Sequence, residues 1–308
     1  MKVSVIICTK DRVQELVDCV RSVFAQSVSP DEVIIVDASE KDEAYLKIKE
    51  EFPKNSRLKY IRSTGSSGLS ADRNKGVRNS SGDIILFLDD DTVLDKGFIK
   101  KIIEVFEKDS EKKIGGVMGN VVNADRPKNF WMQLRANLHL LITRIFLLPT
   151  TGDGKFRSSG CPSFITGAEE IKNVEFLSGC CMAYRKEVFK DLKFDENFPE
   201  LYTDDEDFSR RVSLKYQNVY TPHAKLIHKL SPIGSASARR ASQYIRSRKT
   251  VKSRYYLLKK NFPHTLKHTL AFWWSVVGLL VQAILTVNKE NVKGVINGVS
   301  DIKRFAAS

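Results

Sequence analysis

Asp89, Asp90 and Asp91 stand in a row at the end of the apolar run Ile84-Ile85-Leu86-Phe87-Leu88, with Gly82 just before it. Three adjacent carboxylates repel one another, and a hard divalent cation is the plainest reason to keep them together. Mg²⁺ and Mn²⁺ take oxygen ligands, often one or two carboxylates plus substrate phosphates. The apolar run has the length of a buried strand. Its interior cannot hold three charges, so they belong at its carboxyl end, the edge where open α/β sheets bind ligands. The alternative is an acidic helix N-terminus with Asp91 or Thr92 as its cap.

Other polar groups end similar runs. Val3 to Thr9 is a β-branched stretch closed by Thr9 and Asp11. Val33-Ile34-Ile35-Val36 ends on Asp37, placed to bond a ribose or base or to cap the next helix. Gly65 to Gly76 is a Gly/Ser loop passing into a helix that carries Arg73 and Lys75. Glycine permits close backbone approach, and a helix N-terminus with a guanidinium nearby suits a pyrophosphate. The segment is not a P-loop, and no G-x-G-x-x-G follows the first strand.

Taken together, Val3–Asp11, Val33–Ser39, Gly68–Gly76 and Leu86–Thr92 resemble, in that order, a family 2 glycosyltransferase of the GT-A fold. Each motif is weak alone; four in order are specific. The resemblance puts the family's D-x-D on Asp89 and Asp91, with the metal on Asp91 and Asp89 on ribose or metal. It puts nucleotide binding on Asp11 and Asp37, with Thr9 and Asp90 in the same donor group. The A-R-N-x-G segment falls on Asp72-Arg73-Asn74-Lys75-Gly76, where Asp72 replaces the usual small residue. Glu175 to Arg185, a strand with a glycine bend, is similar to the acceptor-side segment and implies Gly179 there. Asp204-Asp205-Glu206-Asp207-Phe208 with Arg211 is similar to E-D-x-D-L-x-x-R. On that register Asp205 is the general base, and Asp204 and Arg211 lie on the acceptor side. A second register gives the role to Glu206-Asp207, and an acidic helix start is a further alternative. Val219 to His228 resembles the family's final strand, which implies His228 on the metal or the donor diphosphate; a structural histidine is the bland alternative. The activity implied is inverting transfer of a sugar from a nucleotide-diphosphate donor to a hydroxyl of a glycan or lipid-linked acceptor, with Mg²⁺ or Mn²⁺ as cofactor. One direct displacement needs a single base and no covalent nucleophile.

These groups need a scaffold that aligns strand ends. Strands alternating with helices predict a mostly parallel α/β sheet flanked by helices. Helical spacing recurs at Val13, Leu16, Val17, Val20, Val23 and Phe24, again from Tyr45 to Phe52, and over about 97–108. Ile114 to Val122 reads as a strand. Phe130 to Leu148 reads as an apolar helix, packed on the domain or lying in a membrane interface. Thr150 to Thr166, rich in Gly, Ser and Pro, is expected to be a mobile loop over the site. The expected organisation is a GT-A catalytic domain over 1–232, with a nucleotide-sugar half at 1–122 and an acceptor half at 123–232, followed by a basic and apolar helical tail at 233–308.

Charge is uneven. The net charge is +13, yet no Asp or Glu occurs from Lys225 to His268, a stretch holding twelve Lys and Arg. Phosphates, anionic lipid or nucleic acid are the classes such a block suits. Nucleic acid is set aside because no recognition helix or aromatic sheet motif is present. Leu270 to Val287 is apolar all round, with Trp273 and Trp274 at its start, and an amphipathic helix follows. Basic block, aromatics and apolar helix in that order predict attachment at the cytoplasmic face of the cell membrane, spanning or lying on it. A helical hairpin packed on the domain or on a homodimer partner is the alternative. The Val3 to Ile7 run is too short for a signal peptide, and the five cysteines lack metal-ligand spacing and read as reduced thiols. A nucleotidyltransferase, which also places metal carboxylates on an α/β sheet, would want a Gly-rich basic first loop that Cys8-Thr9-Lys10-Asp11 is not.

Overall fold

β-Branched runs become strands and the amphipathic stretches between them become helices in the computed structural model of the chain. It describes residues 1–63, 68–122, 130–165, 167–197, 203–229 and 242–305, leaving aside the side chains of 130–133, 135 and 303–305. The first half runs β1 (Val3–Thr9), α1 (Val13–Phe24), β2 (Glu32–Asp37), α2 (Glu43–Glu51), β3 (Leu58–Arg62) and α3 (Gly68–Arg78). It continues through β4 (Ile84–Asp89), β5 (Thr92–Leu94), α4 (Phe98–Glu107), β6 (Ile114–Val121) and α5 (Phe130–Ile145). Then come β7 (Thr150–Gly152), β8 (Ser163–Ile165), β9 (Lys172–Val174), β10 (Cys181–Arg185), α6 (Asp204–Ser213) and β11 (Gln217–His228). Three helices close the chain: α7 (Gln243–Asn261), α8 (Leu266–Leu285) and α9 (Lys289–Phe305).

The chain divides into two compact units. One comprises Met1–Asn123, Thr166–Glu196 and Phe208–Ala236; the other comprises Ala124–Ile165, Asn197–Asp207 and Ser237–Ser308. The stretches Ala124–Ile165 and Asn197–Asp207 group with the C-terminal helices because their side chains pack and pair there. Helix α6 starts in one unit and ends in the other.

The first unit holds a mixed, mostly parallel sheet in the order β3-β2-β1-β4-β10-β6-β11-β5, with β9 beside β11. β3, β2, β1 and β4 are mutually parallel, as are β6 and β11. β10 runs antiparallel between β4 and β6, and β5 and β9 run antiparallel to β11. β1, β2 and β4 are buried on both faces, which is why they read as unbroken apolar runs rather than alternating ones. An aromatic cluster backs β4 and β10: Phe194 stacks on Phe208 at 4.2 Å between ring centres, with Tyr184 edge-on to Phe208 and Phe87 edge-on to Phe194.

In the second unit α7, α8 and α9 share a core of Val251, Leu257, Leu258, Phe262, Phe272, Val276, Val295 and Ile302. Gly278 lets α8 approach Phe146, where a methyl group would stand 2.3 Å from its Cβ. The segment from Thr150 is not the loop that its composition suggests. Thr150–Gly152 pairs with Ser163–Ile165 as parallel strands. Arg157 donates to the Thr143 and Arg144 carbonyls, and Ser159 to that of Leu147. Its small polar residues answer the open carbonyls at the end of α5. All five cysteines are free thiols here, and four are buried.

Phe194 is fully buried and its backbone is bound by Asn74 on both sides. Phe194→Ala is expected to destabilise the protein by about 3–5 kcal/mol, the usual range for emptying a buried aromatic site. Urea unfolding should show the loss as a lower midpoint, and Phe194→Leu should retain most of the stability.

Candidate functional site

β1 lies between β2 and β4, and the registers Thr9↔Asp37 and Cys8↔Asp89 bring the three carboxyl ends level. The chain builds outward from β1 to β3 and then returns to β1's other side with β4. That reversal of strand order opens the crevice in which such sheets bind ligands. Thr9, Asp11, Asp37, Asp89, Asp90 and Asp91 all fall at this edge.

The three aspartates do not share one environment. Asp90 turns inward at 4% exposure, accepts from the Thr9 hydroxyl at 2.7 Å and is ion-paired with Arg12. Burial pushes its carboxyl up to about 7, against the opposing pull of Arg12 and Thr9. Arg12 also lies 3.2 Å from Asp91, which is only 2% exposed. The Asp89 side chain is 36% exposed, with the Arg73 guanidinium 3.8 Å away. Residues after the triplet form β5 rather than the helix start weighed above. β5 pairs with β11 so that His228 faces Thr92, and the Lys229 N–H donates to the Asp91 carbonyl at 2.8 Å. This pairing sets His228 Nε2 2.8 Å from Asp91 and 3.7 Å from Asp89.

Asp89, Asp91 and His228 thus present three ligand atoms within 4.8 Å of one another. Two carboxylate oxygens and an imidazole nitrogen form a donor set that can hold a divalent cation and leave further positions to substrate oxygens. Burial alone would lower the His228 pKa. Its hydrogen bond to Asp91 and the nearby Cys180 and Asp89 outweigh burial and raise it to about 10. Without a metal, a protonated imidazole therefore balances the carboxylates.

Around this cluster the polar groups are held by partners. Asp37 is fully buried and accepts from Tyr60 at 2.6 Å, Arg62 at 2.8 Å and the Ser39 N–H at 2.8 Å. Asp11 is exposed with φ of 56°, its N–H bonded to Ser39 Oγ at 2.7 Å. A non-glycine residue in that left-handed region is a feature that gathers at binding sites. Arg73 is buried over the Phe194 ring at 5.4 Å, so its direction is fixed by packing. Asp72 accepts from the Ser63 hydroxyl, which gives the acid at this position a structural partner. Gly65, Ser66 and Ser67 lie outside the described residues. Gly179 is buried in the turn before β10, and Arg211 donates to the Lys193 carbonyl at 2.9 Å while lying over the Phe208 ring.

In the second unit, the four carboxylates opening α6 separate into two pairs. Glu206 is buried against Arg254 in a two-pronged ion pair, one contact at 2.9 Å. Burial raises its pKa and Arg254 opposes that rise. Asp207, fully buried, is held by Lys260 at 3.1 Å and Asn261 at 2.8 Å. Asp204 and Asp205 are half-buried. Arg12, Arg254, Lys260 and Asn261 were not singled out from the sequence. Arg254 and Lys260 sit inside the basic block, where nothing local distinguishes a cation buried on a carboxylate from one facing solvent. Arg239 and Arg240 of that block lie outside the described residues.

The family model described as "Glycosyl transferase family 2" matches residues 4–193. The chain is 29% identical over 134 residues to the glucosyl-dolichyl phosphate glucuronosyltransferase of Haloferax volcanii, covering 42% of each protein. It is 34% identical over 107 residues to the uncharacterized glycosyltransferase YwdF of Bacillus subtilis, covering 35% of this chain and 39% of that one. The matched region thus spans about two fifths of these relatives' length. Among solved structures, the mannosyltransferase PcManGT of Pyrobaculum calidifontis, in complex with GDP-Man and Mn²⁺, aligns over 97% of this chain and 86% of its own. The TM-score is 0.59 at 14% identity. S. aureus TarS 1-349 in complex with UDP-GlcNAc aligns over 98% of this chain and 80% of its own, with a TM-score of 0.55 at 17% identity. Likeness at such identities speaks for a shared fold.

A divalent cation bound to this cluster would have to displace the His228 proton, so its affinity should rise with pH. Below the pKa of about 10, one displaced proton corresponds to roughly tenfold tighter binding per pH unit. Calorimetry of Mn²⁺ binding in buffers of different ionisation enthalpy should show proton release at neutral pH. In His228→Ala both the release and most of the pH dependence should vanish, and Asp91→Asn should abolish binding.

Proposed function

The chain belongs to glycosyl transferase family 2, and from that premise we propose that it is an inverting, metal-dependent transferase moving a sugar from a nucleotide-diphosphate donor to a hydroxyl acceptor. The observation that carries this reading is the strand-end cluster of Asp89, Asp91 and His228 with Arg73 beside it. Mg²⁺ or Mn²⁺ bound there supplies positive charge for the donor diphosphate. The Mn²⁺ and GDP-Man in one neighbour and the UDP-GlcNAc in another support this choice of donor class.

Asp11 and Asp37 hold the base and ribose, with Thr9 and Asp90 keeping the first loop in place. Arg73, fixed by Phe194, faces the charge that grows on the departing diphosphate. Asp205 accepts the proton of the acceptor hydroxyl as that oxygen bonds to the anomeric carbon and the bond to the diphosphate breaks. Attack opposite the leaving group inverts the configuration. Glu206 is ion-paired with Arg254 and Asp207 with Lys260, with Asn261 donating a further hydrogen bond to Asp207, which favours Asp205 over the register that would use Asp207. Gly179, Asp204 and Arg211 belong to the acceptor side. The acceptor is a glycan or a lipid-linked sugar, and the protein works at the cytoplasmic face of the cell membrane. A relative whose name includes a dolichyl phosphate supports a lipid-linked acceptor, as does the acid-free stretch from Lys225 to Asn288.

A donor screen that follows nucleoside diphosphate release with Mn²⁺ or Mg²⁺ tests the reading. EDTA should stop release and added metal should restore it; full activity in EDTA with every donor would sink the metal-dependent mechanism. Asp205→Asn should lower turnover by about 10²–10⁴-fold while nucleotide binding stays within a factor of two or so. An active Asp205→Asn beside a silent Asp207→Asn, in a protein that still folds, would move the base to Asp207.

A further inference from the structure

We propose that the second unit docks on an anionic bilayer through one apolar face made jointly by α5 and α8, with both helices lying in the membrane surface and neither crossing it. This deepens the membrane-associated part of the function proposed above and is independent of the sugar chemistry.

Helix α5 exposes Leu134, Leu138, Leu141 and Ile145, a single stripe at spacings of four, three and four. Leu138 and Ile145 are 54% and 51% exposed. Helix α8 exposes Leu266, Leu270, Trp274, Val277 and Ile284, again one stripe. The two helices are tied together. The Trp274 indole N–H donates to the Ile145 carbonyl at 2.8 Å, and its ring lies 4.9 Å from that of Phe146. Leu147, Leu270, Ala271, Trp273, Trp274 and Val277 line an apolar hollow at this junction.

By length and composition α8 could cross a bilayer, but only 33% of its most apolar stretch is buried, and that third decides its orientation. Phe272 and Val276 belong to the core shared with α7 and α9. Those helices carry exposed Lys252, Lys259, Lys289, Glu290 and Lys293, and Arg248 is ion-paired with Asp301. Inserting α8 across the membrane would take this charged pair of helices into hydrocarbon or strip α8 of its core. Lying in the interface requires neither: one side stays on the protein while the other enters the acyl boundary.

Charge selects lipid as the occupant. Neither α5, α7 nor α8 contains an acidic residue, and exposed Arg144 and Lys267 are chain neighbours of the stripe residues Ile145 and Leu266. A basic, Trp-bearing apolar face suits a negatively charged lipid surface. A second copy of the chain would bring the same positive charge against it.

The test is flotation of the purified full-length protein with vesicles of phosphatidylcholine alone or with added phosphatidylglycerol. Binding should need the anionic lipid, weaken in high salt, and reverse in alkaline carbonate. Leu138→Glu with Ile145→Glu changes exposed side chains only, so circular dichroism and nucleotide affinity should stay as in the parent protein. Vesicle partitioning should then fall by about tenfold or more, and Trp274 should lose its quenching by shallow brominated lipids. Resistance to carbonate, with the α5 variant still bound, would mean that α8 spans alone and would overturn the two-helix face. Absence of vesicle binding together with a dimer that the α5 variant dissociates would assign the face to a second copy and overturn it equally.

Discussion

Like charges on consecutive residues at the end of a buried strand must be separated or neutralised, and this constraint organises the sheet edge. Asp90 is withdrawn and matched by Arg12, a side chain buried to receive it. Asp91 meets the same guanidinium and His228, while Asp89 keeps a face toward solvent with Arg73 in reach. Three identical side chains thereby acquire three different roles. Two of the compensating groups, Arg12 and Arg73, are permanent cations. Only His228 can yield its proton, and so only it can exchange places with a metal ion. Without Arg12 the triplet would carry an unbalanced charge in the interior, a far greater cost than the loss of one surface ion pair.

A similar division governs the start of α6. Four carboxylates in the first turn suit the helix dipole, yet two of them are buried, which water would not tolerate without partners. Helix α7 provides those partners from about fifty residues later in the chain, and so the C-terminal helices are part of what holds the start of α6. They hold Glu206 and Asp207 in buried pairs, whereas Asp204 and Asp205 stay half-buried. Several cations of α7 are already paired: buried Arg254 faces Glu206, Lys260 reaches Asp207 from the surface, and Arg248 faces Asp301.

How much of this could be read in the chain depends on how local each signal is. β1, β2 and β4 are legible because strands buried on both faces are unbroken Val, Ile and Leu, and Thr9, Asp37 and Asp89 are where each run stops. The helical spacing of α1, α4, α5 and α8 is equally plain. β5 escaped notice because three residues carry no periodicity; only pairing with β11 makes them a strand. The ordered β7–β8 segment escaped for the opposite reason, since its Gly, Ser and Pro content is that of a loop while its hydrogen bonds are made to distant carbonyls. Arg12 and Arg254 were invisible for the same physical cause. A cation's burial is a property of what folds over it, not of its neighbours in sequence. The four-motif order compensates for this, because it records positions in a shared fold and not local propensity.

The pairing of β5 with β11 also bears on the order in which the protein acquires its parts. β1, β2, β3 and β4 can form a parallel sheet from the first ninety residues alone, and the aspartate triplet would then already stand at its edge. His228 arrives only when the last strand of that unit docks, in a contact of high sequence separation. The triplet therefore precedes its imidazole in the chain by well over a hundred residues. Arg12, three residues beyond β1's end and buried at the cap of α1, is the counter-charge nearest in sequence. The arginine near the start of the chain and the histidine near the end of the sheet thus meet at one strand edge, a permanent cation on one side of Asp91 and a titratable one on the other.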